Sequence, residues 1–168
     1  MSFNVHLIPS SDTPDGAEFS RRFDAVVEEM GGKLIGAEVA EMVDGSTVRV
    51  FGAEPDEEAG SAMFAVRDFT PAIFGMIYRT ADANSSFIYA GKACFRTPSN
   101  RGDFSEDEEE FEVTDVASEQ AFLDVIVGEF RQWSDYRDTV VSSNEPAAPA
   151  PEANPQSFFS RHFGGGKT

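Results

Sequence analysis

The stretch DGAEFSRRFDAVVEEMGG (residues 15–32) carries the clearest helix signal in the chain. Asp15 can cap a helix, and Glu18 follows three residues later, which is the spacing of a capping box. The apolar residues after them recur every three or four positions, which puts them on one helical face. They are Phe19, Phe23, Val26, Val27 and Met30. The glycine pair that follows suits a left-handed stop, so we predict a helix from Gly16 to Met30.

A second helix is predicted after Ser118, which can cap its start. The apolar residues beyond it again share one helical face. They are Phe122, Val125, Ile126, Phe130, Trp133 and Val140. The body of the protein is therefore expected to contain two long amphipathic helices.

The segments between these helices favour strands because they are rich in β-branched and aromatic residues. Asp44-Gly45 suits a tight type I′ turn, so the runs on either side of it are predicted to form a hairpin. The residues before that turn could also be helical, since Glu and Ala favour helices, but we favour strand. The predicted strands cover residues 3–8, 33–43, 46–54, 61–69 and 85–97.

Residues 70–83 admit two interpretations. Thr70 as a cap and Pro71 at the first helical position are a good helix start. Gly75 and the large apolar residues around it favour a buried strand instead, and we favour the strand. The whole pattern predicts an α+β fold, in which a mainly antiparallel sheet of about five strands is covered by two long helices.

The chain is predicted to have three parts. Residues 1–141 form an acidic α+β globular domain, which at this length can bury a substantial core. Residues 142–153 are rich in Pro and Ala and read as a disordered linker. Residues 154–168 form a C-terminal interaction tail with a short helix, because Asn154-Pro155 suits a helix start.

The net charge of −17 restricts the possible partners. The acidic and basic residues after position 141 cancel, so the whole charge lies on residues 1–141. A body this acidic repels nucleic acids and anionic membranes, and it attracts basic proteins at long range. We therefore expect a protein partner, possible basic partners, no nucleic acid and no membrane.

Cysteine usage and hydropathy favour a soluble cytoplasmic protein. Cys94 is the single cysteine, so no intramolecular disulfide can form. The longest apolar run covers seven residues, far fewer than the ~20 needed to cross a bilayer. The first residues lack the basic region of a signal peptide.

Sequence motifs give little support to catalysis, cofactor binding or metal binding. A thiol–imidazole pair of Cys94 and His6 is possible because both residues lie on predicted strands, yet a small core cysteine and a strand histidine are the simpler interpretations. The histidine and cysteine spacings of zinc sites are missing. No cofactor and no metal are predicted, and an enzyme using Cys94 and His6 remains an alternative.

The C-terminal GGKT does not make a nucleotide-binding loop. The pattern G-x-x-x-x-G-K-[ST] would need glycine where Arg161 stands. Such a loop also leads into a helix whose N-terminus holds the phosphates, and no residue follows Thr168 in this sequence.

Residues 103–112 hold seven acidic residues in ten. They lack the D-x-D-x-D-G spacing of a calcium loop, so they predict a solvated acidic face. A short helical turn could begin at Ser105, with Glu108 completing a capping box. The residues of this acidic face are Asp103, Glu106, Asp107, Glu108, Glu109 and Glu110.

The tail carries the strongest functional signal. A flexible spacer that ends in an aromatic, basic mini-helix resembles the helix-in-groove mode of recognition. Such a helix is too short to be stable alone and is expected to form on a surface. Its predicted contact residues are Phe158, Phe159, Arg161, His162 and Phe163.

The sequence thus predicts a non-enzymatic interaction protein: an adaptor, a chaperone-like protein or an assembly component. Its tail would dock on a partner or on a sister subunit. The alternatives are an inhibitor whose acidic face mimics nucleic acid, a virion structural component, and the small enzyme described above.

Overall fold

The computed structural model describes residues 1–104 and 112–144. The helices within these ranges are α1 (Gly16–Glu29), α2 (Pro71–Asn84) and α3 (Glu119–Asn144). The strands are β1 (Phe3–Ile8), β2 (Lys33–Ile35), β3 (Val39–Glu41), β4 (Thr47–Gly52), β5 (Ala62–Val66), β6 (Phe87–Ala90), β7 (Ala93–Arg96) and β8 (Val113–Asp115). This is a mixed α+β fold, as the sequence predicts, but its described residues form three helices in place of the two long ones expected.

The chain divides into two compact units, Met1–Arg137 and Asp138–Thr168. The first unit contains the sheet, α1, α2 and most of α3. The described part of the second unit is the C-terminal end of α3, where the hydroxyl of Ser142 donates to the carbonyl of Asp138. Helix α3 continues through residue 144.

All eight strands form one sheet in the order β2-β3-β4-β5-β1-β6-β7-β8. Every neighbouring pair is antiparallel except β7 and β8, which are parallel. The expected number of about five strands is wrong for physical reasons. Gly36 and Gly91 both have positive φ, which lets the chain turn sharply and splits two predicted strands into hairpins. The third additional strand is β8.

Helix α1 confirms its prediction at both ends. The side chain of Asp15 accepts a hydrogen bond of 2.9 Å from the backbone N–H of Glu18. Gly31 has a φ of +74° just after the helix, as a left-handed stop requires. The start of α3 is confirmed as well, because Ser118 accepts from the N–H of Ala121 at 3.1 Å.

Helix α2 overturns the strand favoured for residues 70–83. Thr70 caps it by accepting a hydrogen bond from the N–H of Ile73, and Pro71 takes the first helical position. Its residues Ile73 to Tyr78 are all buried. A helix enclosed on nearly every side shows no amphipathic stripe, so its apolar run resembles a buried strand.

The β3–β4 hairpin is confirmed, but its turn is not type I′. Gly45 has a φ of +82°, whereas Asp44 is not among the described residues with positive φ. A type I′ turn needs positive φ at both central residues. Asp44 instead accepts two hydrogen bonds from Ser46, one from the N–H and one from the hydroxyl.

The three helices all pack on one face of the sheet. Phe23 of α1 contacts Phe64 of β5, with ring centroids 5.9 Å apart. Phe3 of β1 lies 6.3 Å from Phe74 of α2, and α3 reaches the same face through the Phe95–Phe122 contact of 5.5 Å. The core is therefore a layer of aromatic and aliphatic side chains between this face and the helices.

No helix in the described ranges is both long and apolar enough to cross a membrane.

Candidate functional site

The sheet face turned away from the helices is exposed in its centre. Side chains alternate along a strand, so β1 buries Phe3, Val5 and Leu7 while Asn4 and His6 point to the opposite side. Strand pairing brings further residues to that side. We define the open face by Asn4, His6, Ile8, Arg49, Phe51, Met63, Ala65 and Tyr89.

Two adjoining grooves lie along the open face. The first has a volume of about 450 Å³ and is lined by residues that include His6, Phe51, Met63 and Tyr89. The second, of about 470 Å³, shares Phe51 and Met63 with the first and extends to Arg49 and Arg67. Both volumes fall within the range of small-molecule pockets.

Arg49 and Arg67 are exposed and have no ion pair or hydrogen bond within residues 1–104 and 112–144. Ala65 pairs with Arg49 across the strands, and Arg67 follows Ala65 by two residues. The two arginines are therefore diagonal neighbours, with Cβ atoms roughly 7–8 Å apart. Both line the second groove, so two positive charges project there without an ion-pair partner among the described residues.

The described residues that line these two grooves include no carboxylate. Other grooves of the protein do contain them. A groove beside α1 includes Asp24, Glu38 and Glu54, and a groove beside α3 includes Glu129. The chain has 30 acidic residues and 13 basic ones. The described lining of these two grooves differs from that average, because its charged side chains are the basic Arg49 and Arg67.

His6 lies in the middle of this face, half-buried between β5 and β6. Its ring is 6.3 Å from that of Tyr89. Burial lowers the pKa of His6 below its ordinary value of 6.5, because a partly desolvated imidazolium loses hydration. At neutral pH the imidazole is therefore uncharged and offers one donor and one acceptor.

His6 and Cys94 do not form a pair. Tyr89 lies between them, because it pairs with His6 on one side and with Cys94 on the other. The backbones of His6 and Cys94 are therefore two strand spacings apart, or about 10 Å. Cys94 is 1% exposed, and burial raises the pKa of its thiol to about 11, with a smaller opposing effect of Arg96. The thiol is therefore protonated at neutral pH.

Most of the sequence-predicted site lies outside the described residues. This holds for Phe158, Phe159, Arg161, His162 and Phe163 of the tail and for residues 106–110 of the acidic face. Asp103 is described and exposed. Its backbone carbonyl accepts a hydrogen bond of 2.8 Å from the N–H of Ser11, and its own N–H donates to the hydroxyl of Ser11.

Among the described residues, no group of three or more His, Cys, Asp and Glu side chains could hold a metal ion.

Apart from His6, the residues of the open face are not marked as a site by any sequence motif. The alternation in β4, where Val48 and Val50 are buried and Arg49 is exposed, marks a strand with two different faces. It does not indicate whether the outer face is covered by another element. The strand order that brings Arg49, Met63 and His6 together is also not encoded in any one segment.

Comparison with known proteins gave no match to a protein-family model, to a curated protein or to a solved structure.

Proposed function

We propose that this chain is a non-enzymatic protein-interaction module, an adaptor or assembly component, that binds a partner protein on the open face. One observation carries the proposal: all described helices pack on one side of an eight-stranded sheet, while the other side keeps two adjoining grooves that share the apolar side chains Phe51 and Met63. Exposed apolar surface rimmed by polar residues is typical of interaction sites.

The chemistry of the described residues supports binding in preference to catalysis. The thiol of Cys94 is buried and protonated at neutral pH, and its cross-strand partners are Tyr89 and Val113. A nucleophilic cysteine needs a thiolate and an adjacent base. A binding face needs only shape and complementary groups, which Phe51, Met63 and the two arginines offer.

The C-terminal tail is a second proposed binding element. Residues 154–168 would engage a further partner or a sister subunit through the three phenylalanines, Arg161 and His162. We also propose a cytoplasmic location, which the single unpaired cysteine favours.

Site-specific photo-crosslinking in the source cells tests use of the open face. Phe51, which is 39% exposed and lines both grooves, is replaced by the photoreactive analogue p-benzoylphenylalanine. The matched control position is Val125 of α3, which is 45% exposed and lies in the helical layer. We expect a discrete adduct from position 51 and none from position 125. The partner protein identified in the adduct, once purified, should bind the unmodified chain.

An adduct from position 125 alone would contradict the proposal, because the partner would then contact the helical layer and not the open face. Equal adducts from both positions would contradict it as well, because contact would then not be specific to the open face. The absence of adducts at both positions would contradict it as well.

Deletion of residues 154–168 tests the tail separately. We expect the melting temperature to remain unchanged, because every buried apolar residue of the described core lies before residue 131. Association with the tail's partner or self-association should disappear in sedimentation velocity. If association survives the deletion, the tail is not the binding element proposed here.

A further inference from the structure

Arg49 and Arg67 indicate which chemistry the open face recognises. Arg49 and Arg67 line one groove, have no described ion-pair partner and share the groove with no described carboxylate. A guanidinium matches the two oxygens of a carboxylate in a bidentate geometry. Two such groups side by side are suited to a ligand that carries more than one carboxylate.

The first groove supplies an apolar site next to these charges. Phe51 and Met63 line both grooves and so connect the arginines with the His6–Tyr89 end of the face. Met adapts to irregular shapes, and the ring of Phe51 offers a surface for stacking. A large apolar side chain would therefore fit next to residues that contact the arginines.

We propose that the open face binds an acidic peptide segment of a partner protein that also carries an aromatic or large aliphatic side chain. The carboxylates of the peptide contact Arg49 and Arg67, and its apolar side chain enters the groove at Phe51 and Met63. This inference rests on the proposed function and specifies the partner of the same face.

The net charge of the protein argues for a short peptide over a nucleic acid. A long polyanion would extend beyond the grooves and meet the repulsion of a chain with a net charge of −17. A peptide of a few residues stays close to the two arginines, and the Debye length of about 8 Å in physiological salt screens it from more distant carboxylates. The test below includes single-stranded DNA as the competing ligand.

Fluorescence anisotropy with labelled probes tests the inference on the full chain. The probes are the pentapeptide EEFEE, its variant EESEE, the basic peptide KKFKK and a thymidine oligonucleotide of similar length. We expect EEFEE to bind tightest. EESEE should bind more weakly because it lacks the apolar side chain, and KKFKK should gain nothing from the arginines.

Substitutions then identify the site. We expect Arg49→Ala and Arg67→Ala each to weaken EEFEE binding by about tenfold, since each removes a charge-assisted contact. Phe51→Ala should weaken EEFEE and leave EESEE nearly unaffected. The matched control is Arg131→Ala, because Arg131 is an exposed arginine of α3 in the helical layer. It should change EEFEE binding by less than about twofold.

Three results would each overturn the inference. KKFKK or the oligonucleotide could bind as tightly as EEFEE, or EEFEE could fail to bind at all. The third is that Arg131→Ala weakens EEFEE binding as much as Arg49→Ala and Arg67→Ala do. The crosslinking test at Phe51 distinguishes this failure from failure of the proposed function. An adduct at position 51 without EEFEE binding means that the open face recruits a partner of different chemistry.

Discussion

Cys94 and His6 show how one face of one sheet gives two titratable residues opposite properties. Both side chains lie in the same row across β1, β6 and β7, with Tyr89 between them. Cys94 is enclosed, and His6 keeps part of its ring exposed. Desolvation favours the neutral form of each group, so it raises the pKa of Cys94 and lowers the pKa of His6.

We predict that Cys94 in the folded protein resists alkylation. Since burial raises the pKa of its thiol from 9.0 to about 11, the thiolate fraction near pH 8 falls about 100-fold. Iodoacetamide labelling followed by mass spectrometry should be slow in buffer and rapid in denaturant. Native labelling within a few-fold of the denatured rate would contradict the prediction.

The raised pKa of the Cys94 thiol also makes the folded state less stable at high pH. The unfolded chain releases the Cys94 proton near its ordinary pKa of 9.0, while the folded chain retains it up to about 11. Stability from this group is therefore complete below pH 9 and is lost as the pH rises toward 11. Cys94→Ala serves as the control, because it lacks this dependence.

We predict that His6 titrates below 6.5, because burial lowers its pKa. A pH titration followed by NMR of the imidazole protons measures this value, and the variant His6→Gln assigns the signal. The unfolded chain binds the proton first as the pH falls, so this group destabilises the fold below pH 6.5. A midpoint at or above 6.5 would contradict the burial of the ring.

At the scale of elements, glycines have different roles at two positions. Gly60 precedes β5, and a Cβ placed there would overlap the side chain of Phe19, which is fully buried in α1. Gly128 lies inside α3, and nothing stands within 4 Å of the position of its missing Cβ. Gly60 therefore permits close packing of α1 on the segment before β5, whereas Gly128 only lowers the helix propensity of α3.

We predict opposite effects of alanine at these two sites. Gly60→Ala should destabilise the fold by about 1–3 kcal/mol, because the Phe19 ring must move in a packed core. Gly128→Ala should stabilise it by about 0.5–1 kcal/mol through helix propensity alone. Urea unfolding of the two variants measures both values, and a Gly60→Ala variant as stable as the parent would contradict the packing described for Gly60.

Elements were predictable where their signals were local. Helix α1 carried its cap at Asp15 and its stripe from Phe19 onward, so its bounds could be predicted to within one residue. Helix α2 also carried its cap at Thr70, but its burial between neighbours removed the stripe. For such a helix the cap was the better guide than the periodicity.

At the scale of the whole molecule, charge repulsion opposes folding. The chain has 30 acidic and 13 basic residues, and the ion pairs of the described residues are at or near the surface. Exposed pairs of this kind contribute little. The aromatic core must therefore offset the mutual repulsion of the excess carboxylates.

We predict that added salt stabilises the protein. Raising NaCl from about 0.05 to about 0.5 M shortens the Debye length and screens repulsion more than it weakens the few surface pairs. The melting temperature, followed by circular dichroism, should rise. A melting temperature that falls with salt would mean that attractive pairs dominate.

The sequence by itself determined the α+β class, the helices α1 and α3, the β3–β4 hairpin and the acidic charge of the body. These features depend on residues within a few positions of one another, so caps, stripes and turns reveal them. Only the tertiary structure decided the strand order, the enclosure of α2 and the open face with Arg49, Arg67 and Phe51. Those features depend on pairing between distant strands and on the side of the sheet that the helices cover. Alternation along a strand defines two faces, but it cannot tell which of them stays exposed.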